Sequence, residues 1–153
     1  MQPVDELITT SSVFQGMDDR HLRLIAELGR PMDIEADRYL FRAGAPADTF
    51  WLIRSGTIAL ELHSGALGQM VMETFHNGEP VGWSWLFEPY RLQFDGRATE
   101  PSSLVAFDAA RLRAKCEEDH ELGYQLIRRF AAHMAAALVA TRIQLLDVTG
   151  GAR

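Results

Sequence analysis

Cysteine is almost absent from the sequence, and the histidines that are present form no metal-binding pattern. The one cysteine, Cys116, cannot form an internal disulfide and cannot build a thiolate metal site alone. We therefore expect no metal site, no haem and no iron–sulfur cluster. The five histidines have no spacing that would seat a metal ion on one face: His21, His63, His76, His120 and His133.

Basic clusters and long apolar runs are also missing. The 15 lysines and arginines are outnumbered by 21 acidic residues, and the net charge is −6. Because neutralising nucleic-acid phosphates takes clustered basic side chains, direct DNA binding is not expected. No apolar run approaches the ~20 residues of a membrane span, and the start MQPVDELITT lacks the layout of a signal peptide. These features predict a cytoplasmic protein that has no membrane segment.

A catalytic serine is not indicated either. Ser84 lies in the stretch GWSWL, which lacks the second glycine of a nucleophile elbow, and no histidine–acid pairing accompanies it. We expect a binding or interaction protein rather than an enzyme.

What the sequence does contain is a change of hydrophobic period along a chain of domain size. Its 153 residues, 47% of them hydrophobic, suit a single domain with a sizeable core. Residues 18–28 have a helical period, residues 32–108 alternate like short strands between glycine-containing turns, and a helical period then returns. The expected fold is mostly β with flanking helices: N-terminal helices over 1–31, a jelly roll over 32–108, and a short and a long helix over 109–148.

The long C-terminal helix is expected to form a homodimer. From about residue 119 to 147, apolar side chains recur every three or four residues, beside alanines that let another backbone approach closely. Packing on the chain's own β domain covers part of this surface, yet the helix has more apolar surface than that domain can bury. The predicted dimer stripe consists of Ile127, Phe130, Met134, Ala137, Thr141 and Leu145.

Five segments, in this order, resemble the effector domain of the catabolite activator and fumarate-nitrate regulator (CRP/FNR) superfamily. They are VFQGMDDRHLRLIAEL, FRAGAPADTFWLIRSGTIAL, FHNGEPVGWSWL, EPSSLVAFD and the long helix ending LLDVTG, and together they span residues 13–150. The resemblance implies the fold of a cyclic nucleotide-binding domain. In full-length regulators of the superfamily a helix-turn-helix domain follows, whereas this sequence stops at Arg153, so no DNA-reading module is expected.

The same resemblance implies a phosphate-binding cassette that starts at Gly82. In nucleotide-binding members, a Glu after this glycine accepts the ribose 2′-hydroxyl, backbone N–H groups face the phosphate, and an Arg pairs with its charge. Trp83 holds the position of that Glu, and an indole N–H only donates. The implied ligand-binding residues are Gly82, Trp83, Ser84, Arg91 and Arg97.

Which arginine belongs to the cassette is open. Arg97 is the phosphate ligand if the RAT motif is taken directly. Aligning ATEPSSLVAF on the family's next strand makes Arg91 the near match instead, and needs less insertion. Alternatively, either arginine is a surface residue paired with Asp95 or Glu88.

Other ligand contacts of the family are altered as well. The Thr–Ser pair that caps the purine in the catabolite activator falls on Ala136 and Ala137, so both hydroxyls are missing. Glu79 is a conceivable substitute for the cassette Glu, or else a solvated turn residue. Since each lost bond to a buried polar group costs about 1–3 kcal/mol, high-affinity cyclic AMP binding of the usual kind is not expected.

Two functions follow from these patterns. In the first, the chain is a stand-alone ligand-sensing regulatory domain, with a cyclic nucleotide or another small anion as the candidate ligand. In the second, it is a ligand-free interaction protein, in which Trp83 and Trp85 plug the pocket and the dimer docks on another regulator or enzyme. Core packing is the simpler expectation for Trp85 and Phe87.

Overall fold

Two antiparallel β-sheets and four helices make up the chain in a computed structural model, which describes the backbone of residues 3–151 and the side chains of residues 3–148. The helices are α1 (Val4–Thr10), α2 (Asp19–Glu27), α3 (Ala109–Glu118) and α4 (His120–Gly151), and Ser84–Leu86 forms a 3₁₀ turn. The strands are β1 (Gly29–Ile34), β2 (Tyr39–Phe41), β3 (Thr49–Ser55), β4 (Ile58–Ser64), β5 (Gly68–Phe75), β6 (Pro80–Val81), β7 (Asp95–Ala98) and β8 (Ser102–Asp108).

The strands are connected as a jelly roll. One sheet has the strand order β1-β8-β3-β6 and the other has the order β2-β7-β4-β5, with antiparallel pairing throughout. The two sheets pack face to face: Phe41 on β2 of one sheet stacks on Trp51 on β3 of the other, with ring centroids 5.1 Å apart. The predicted fold, mostly β with flanking helices and a long C-terminal helix, is therefore confirmed.

The first strand begins at Gly29, ahead of the boundary expected at residue 32. Helix α2 starts after Asp18, whose carboxylate accepts a hydrogen bond from the Arg20 N–H at 2.9 Å, and it ends at Glu27. Pro31 is tolerated in the sheet because β1 is an edge strand that pairs only with β8. Residues 29–31 therefore belong to the roll rather than to the helical segment before it.

The core is organised around Phe50 on β3. Its ring stacks on Phe107 at 4.7 Å and on Trp85 at 5.2 Å, and Phe130 meets it edge-on at 5.4 Å. All four side chains are buried. Trp85 follows β6 and Phe130 belongs to α4, so this cluster joins the sheet to the turn after β6 and to the long helix.

Helix α4 is buried at its start and exposed beyond it. Phe130, which the sequence placed in the dimer stripe, is 2% exposed within a single chain and packs in that chain's own core. It is therefore unavailable to a second copy, because the roll already covers it. The other stripe residues are the half-buried Met134 and Ala137 and the exposed Ile127, Thr141 and Leu145.

The distal part of α4 exposes apolar side chains on several faces. By length and composition, residues 120–148 could also cross a membrane. Alanines supply much of this run, and the sequence has no uninterrupted run of large apolar residues of that length. Length and composition alone do not separate a membrane-spanning helix from a helix that contacts a protein partner. The exposed residues are Leu138, Val139, Ile143, Leu145, Leu146 and Val148.

Phe130→Ala should lower the free energy of unfolding by about 3–5 kcal/mol, because it removes a ring that touches Phe50 and Trp85 and leaves a cavity. Urea denaturation followed by circular dichroism measures the change. Tyr124→Ala, on the same helix but 58% exposed, is the matched control and should stay within about 0.5 kcal/mol of the parent. Equal losses for the two variants would contradict the central role of the cluster.

Candidate functional site

The stretch VGWSWLF forms a tight turn that sends its two tryptophans to different places. Gly82 adopts φ +92°, a backbone conformation that residues with side chains rarely adopt. Trp83 is then 39% exposed, whereas Trp85 is fully buried. Phe87, which was expected in the core, is 41% exposed because the chain leaves the 3₁₀ turn there in an extended conformation.

A cavity of about 230 Å³ lies between this turn, strand β5 and helix α4, and we call it the helix cavity. Gly82 and Trp83 line it from the turn. Ala136 and Ala137, the positions that the resemblance assigns to base recognition, line it from α4. The structure thus brings together two of the predicted cassette residues and the altered purine-capping positions.

Two carboxylates give the helix cavity a negative charge. Glu73 on β5 and Glu79 before β6 both line it, opposite the imidazole of His133 on α4. Burial, together with the negative charge of Glu79, raises the pKa of Glu73. Glu79 is partly satisfied, since its carboxylate accepts a hydrogen bond from the His76 N–H at 3.1 Å. An anion in this cavity would meet repulsion.

Ser84 and Arg91 lie at a different opening, which we call the cassette groove. Trp83 and Phe87 also line this groove, with their rings edge-on at 6.5 Å, whereas no α4 side chain up to residue 148 lines it. Arg91 is exposed and donates a hydrogen bond to the Gly44 carbonyl at 3.2 Å. Arg91 is therefore separated from the helix cavity by the cassette turn.

Arg97 lies on β7 and is held by two carboxylates. Its Nη2 donates to Oε2 of Glu61 at 2.8 Å, its Nε donates to the same carboxylate at 3.0 Å, and its Nη1 donates to Asp37 at 2.8 Å. Glu61 is fully buried, and Gln69 donates a further hydrogen bond to it. Although burial would raise the pKa of Glu61, the hydrogen bonds from Arg97 and Gln69 and the charge of Arg97 hold it below its usual value. An incoming anion would have to compete with these partners.

A second buried carboxylate, Asp95, stabilises the neighbouring loop. It accepts a hydrogen bond from the Ala43 N–H at 2.7 Å and lies 3.3 Å from Nε of Arg42 and 2.6 Å from Nδ1 of His63. Burial would raise the pKa of Asp95, but these partners lower it. Asp95 therefore pairs with Arg42 and His63, and not with Arg91 or Arg97 as the alternative from the sequence had it.

Sequence reasoning missed Glu61, Glu73 and His133. The alternation of β4 put Glu61 with the outward-facing residues, but the register with β5 shifts after Leu60. As a result Glu61 is 0% exposed, whereas the next residue, Leu62, is 39% exposed. The signal in the sequence was Glu61 between Leu60 and Leu62 in a strand. Such a glutamate can be buried only if a basic side chain from another strand pairs with it.

A family model described as the cyclic nucleotide-binding domain matches residues 31–119, more than half of the chain. The chain belongs to the cyclic nucleotide-binding domain family. The resemblance to CRP/FNR effector domains is thereby confirmed, and the family is one of ligand-binding regulatory domains. The comparison with curated proteins found no match to this chain.

Solved structures share the fold over most of the chain. A candidate cyclic nucleotide-binding protein from Geobacter metallireducens GS-15 is 27% identical, with a TM-score of 0.79 over 90% of this chain and 98% of that one. A cyclic nucleotide-binding domain from Methylobacillus flagellatus KT has a TM-score of 0.78 at 15% identity, over 94% of this chain and 81% of that one. The c-di-GMP responsive global regulator CLP from Xanthomonas campestris has a TM-score of 0.72 at 16% identity, over 86% of this chain and 65% of that one. The last two likenesses show the fold alone.

Within this cyclic nucleotide-binding domain, the five predicted ligand-binding residues do not all share one opening. Trp83, Ser84 and Arg91 line the cassette groove, Gly82 and again Trp83 line the helix cavity, and Arg97 is paired with the buried carboxylate of Glu61. The helix cavity therefore lacks both the cassette carboxylate and a free guanidinium.

Arg97→Ala should destabilise the domain by about 3–5 kcal/mol at neutral pH, because Glu61 is left buried and charged without its main partner. The loss should shrink as the pH falls toward about 4. Without Arg97, the folded state can relieve the cost by protonating Glu61. In the parent, the lowered pKa of Glu61 means that acid removes stability instead.

Urea denaturation across this pH range measures the effect. Arg38→Ala is the control, because the Arg38–Glu35 pair is exposed and should contribute no more than about 1 kcal/mol. A loss on Arg97→Ala that is small, or that stays constant with pH, would show that the ion pair has no such role.

Proposed function

We propose that this chain is a cytoplasmic ligand-sensing regulatory domain, not an enzyme, and that its ligand occupies the helix cavity. The observation that carries the proposal is that one cavity has walls from both the cassette turn and α4. Gly82 and Trp83 line one side, and Met134 and Ala137 line the other. A small molecule bound there would contact both elements whose relative position a sensor has to change.

Cyclic AMP is not the ligand that this cavity favours. Trp83 cannot accept a hydrogen bond from a ribose hydroxyl, and Ala136 and Ala137 offer none to a base. The nearby carboxylates of Glu73 and Glu79 oppose a phosphate. The ligand we propose is therefore not a nucleotide.

Occupancy of the cavity can reach the rest of the chain through the aromatic cluster. Trp85 packs edge-on against Phe130 of α4 at 5.5 Å. Arg113 of α3 donates a hydrogen bond to the Trp85 carbonyl at 2.7 Å. A shift of the cassette turn would therefore change contacts with both C-terminal helices, α3 and α4.

The output surface we propose is a homodimer formed by the distal part of α4. Leu138, Val139 and Ile143 are each more than half exposed in the single chain, and burying them would be favourable. The net charge of −6 favours a protein over DNA as the target of this dimer. The same exposed surface supports a second candidate, a ligand-free interaction protein that docks on another regulator or enzyme.

Ligand binding should change the fluorescence of Trp83, the tryptophan that is exposed at the cavity, while the other two are buried. A thermal-shift and fluorescence screen would test cyclic AMP, cyclic GMP and cyclic di-GMP beside a library of uncharged and cationic fragments. The nucleotides should leave the melting temperature unchanged. A true ligand at a hundred times its Kd should add about 2.7 kcal/mol of stability.

Ala137→Phe should fill the cavity and abolish both signals, whereas Ala114→Phe, at an exposed position on α3, should not. A nucleotide that raises the melting temperature of the parent, and not that of Ala137→Phe, would overturn the exclusion of nucleotides. If no compound acts through the cavity, the sensing proposal fails and the interaction protein is the function that remains.

Leu138→Glu should convert the proposed dimer to a monomer, because a charge would have to be buried in the apolar α4 surface. Multi-angle light scattering at tens of micromolar protein measures the mass. Leu67→Glu, at a leucine 71% exposed in the β4–β5 turn, is the matched control and should leave the dimer intact. A monomeric parent would refute the dimer, and co-sedimentation of that monomer with lipid vesicles would assign the helix to a membrane instead.

A further inference from the structure

The helix cavity contains a carboxylate that has no hydrogen-bonding or ion-pairing partner in the part of the chain that the structure describes. Glu73 is half-buried, and its carboxylate forms no hydrogen bond or ion pair among the side chains of residues 3–148. Burial and the nearby charge of Glu79 raise the pKa of Glu73. Burying a charge without a partner is unfavourable, so a cation placed beside Glu73 would remove a cost that the empty cavity carries.

The two acidic side chains that are fully buried in the described part of the chain do have partners. Glu61 is paired with Arg97, and Asp95 is held by Arg42 and His63. Glu73 differs from both in that it faces a cavity. The missing counterion and the space for a ligand therefore coincide.

The remaining walls suit an apolar cation. Phe75 and Trp83 line the cavity with rings that are at least partly exposed, and aromatic faces attract organic cations. Phe130, which is 2% exposed, adds only apolar wall. Ala136 and Ala137 leave room for the ligand's body. The volume of about 230 Å³ lies below the ~300–1,000 Å³ of typical ligand pockets, so the ligand is small.

We propose that the helix cavity binds a small organic cation, a protonated or quaternary amine on an apolar body, with Glu73 as its counterion. This inference rests on the proposed function and adds the charge class of the ligand. Trp83, in the position where the family's cassette Glu would meet a ribose, provides an aromatic face for the amine instead.

The test compares three molecules of one shape: phenethylammonium, 2-phenylethanol and phenylacetate. Trp83 fluorescence and isothermal calorimetry on the full chain give the affinities. The cation should bind at least about tenfold more tightly than the neutral alcohol, and the anion should bind more weakly still. Equal affinities, or a preference for the anion, would overturn the inference.

Glu73→Gln separates the charge from the shape of the site. It should reduce the affinity for phenethylammonium to that for 2-phenylethanol, and it should leave the alcohol's affinity unchanged. It should also raise the melting temperature, because it removes a desolvated charge, which rules out unfolding as the reason for lost binding. Glu27→Gln, at an exposed position on α2, is the control and should change neither affinity. A variant that keeps the cation preference would refute the role of Glu73.

The results distinguish this inference from the function on which it rests. If uncharged fragments act through the cavity and Ala137→Phe blocks them, while phenethylammonium does not bind, the sensor stands and the cation is refuted. If no compound acts through the cavity, the sensing function and the cation inference are both refuted.

Discussion

The stacking of rings around Phe50 determines where every part of the candidate site lies. Phe107 and Trp85 stack on Phe50, and Phe130 closes the cluster edge-on. Because Trp85 is fixed in the core, the residue two positions before it, Trp83, is left at the surface of the turn, where it borders both openings. Because Phe130 is fixed, the next turns of α4 pass the cassette and close the helix cavity. The cavity is thus a consequence of how the core packs.

A second constraint is the buried charge inside the sheet β2-β7-β4-β5. Glu61 is completely enclosed and is neutralised by Arg97, which also reaches Asp37. A buried pair of this kind contributes little net stability, yet either partner alone would be costly. Arg97, which the RAT motif suggested as a phosphate ligand, therefore neutralises a carboxylate of the chain itself, that of Glu61. An external anion would have to displace Glu61 and leave it unpaired.

The architecture could be predicted from the sequence because it depends on repeating patterns. Alternation, glycine-containing turns and a final helical period gave the jelly roll and α4. The site could not be predicted to the same degree, because it depends on single deviations from those patterns. The register shift after Leu60 buried Glu61, and the extended backbone at Phe87 exposed an aromatic expected in the core. The pairing of Arg97 with Glu61 joins residues 36 positions apart on neighbouring strands, and no local motif encodes it.

The unpaired Glu73 also suggests how occupancy could be transmitted. A ligand shifts a conformational equilibrium only by its difference in affinity for the two states. A movement of α4 toward β5 would dehydrate the carboxylates of Glu73 and Glu79, and that desolvation cost would oppose closure. A cation beside Glu73 would offset the desolvation cost, so it would bind better to an arrangement in which α4 lies closer to β5. Met134 and Ala137 lie on the helix that would move, directly before its exposed apolar surface, which begins at Leu138. The same electrostatic cost that selects the charge of the ligand would then set the position of the proposed dimer surface.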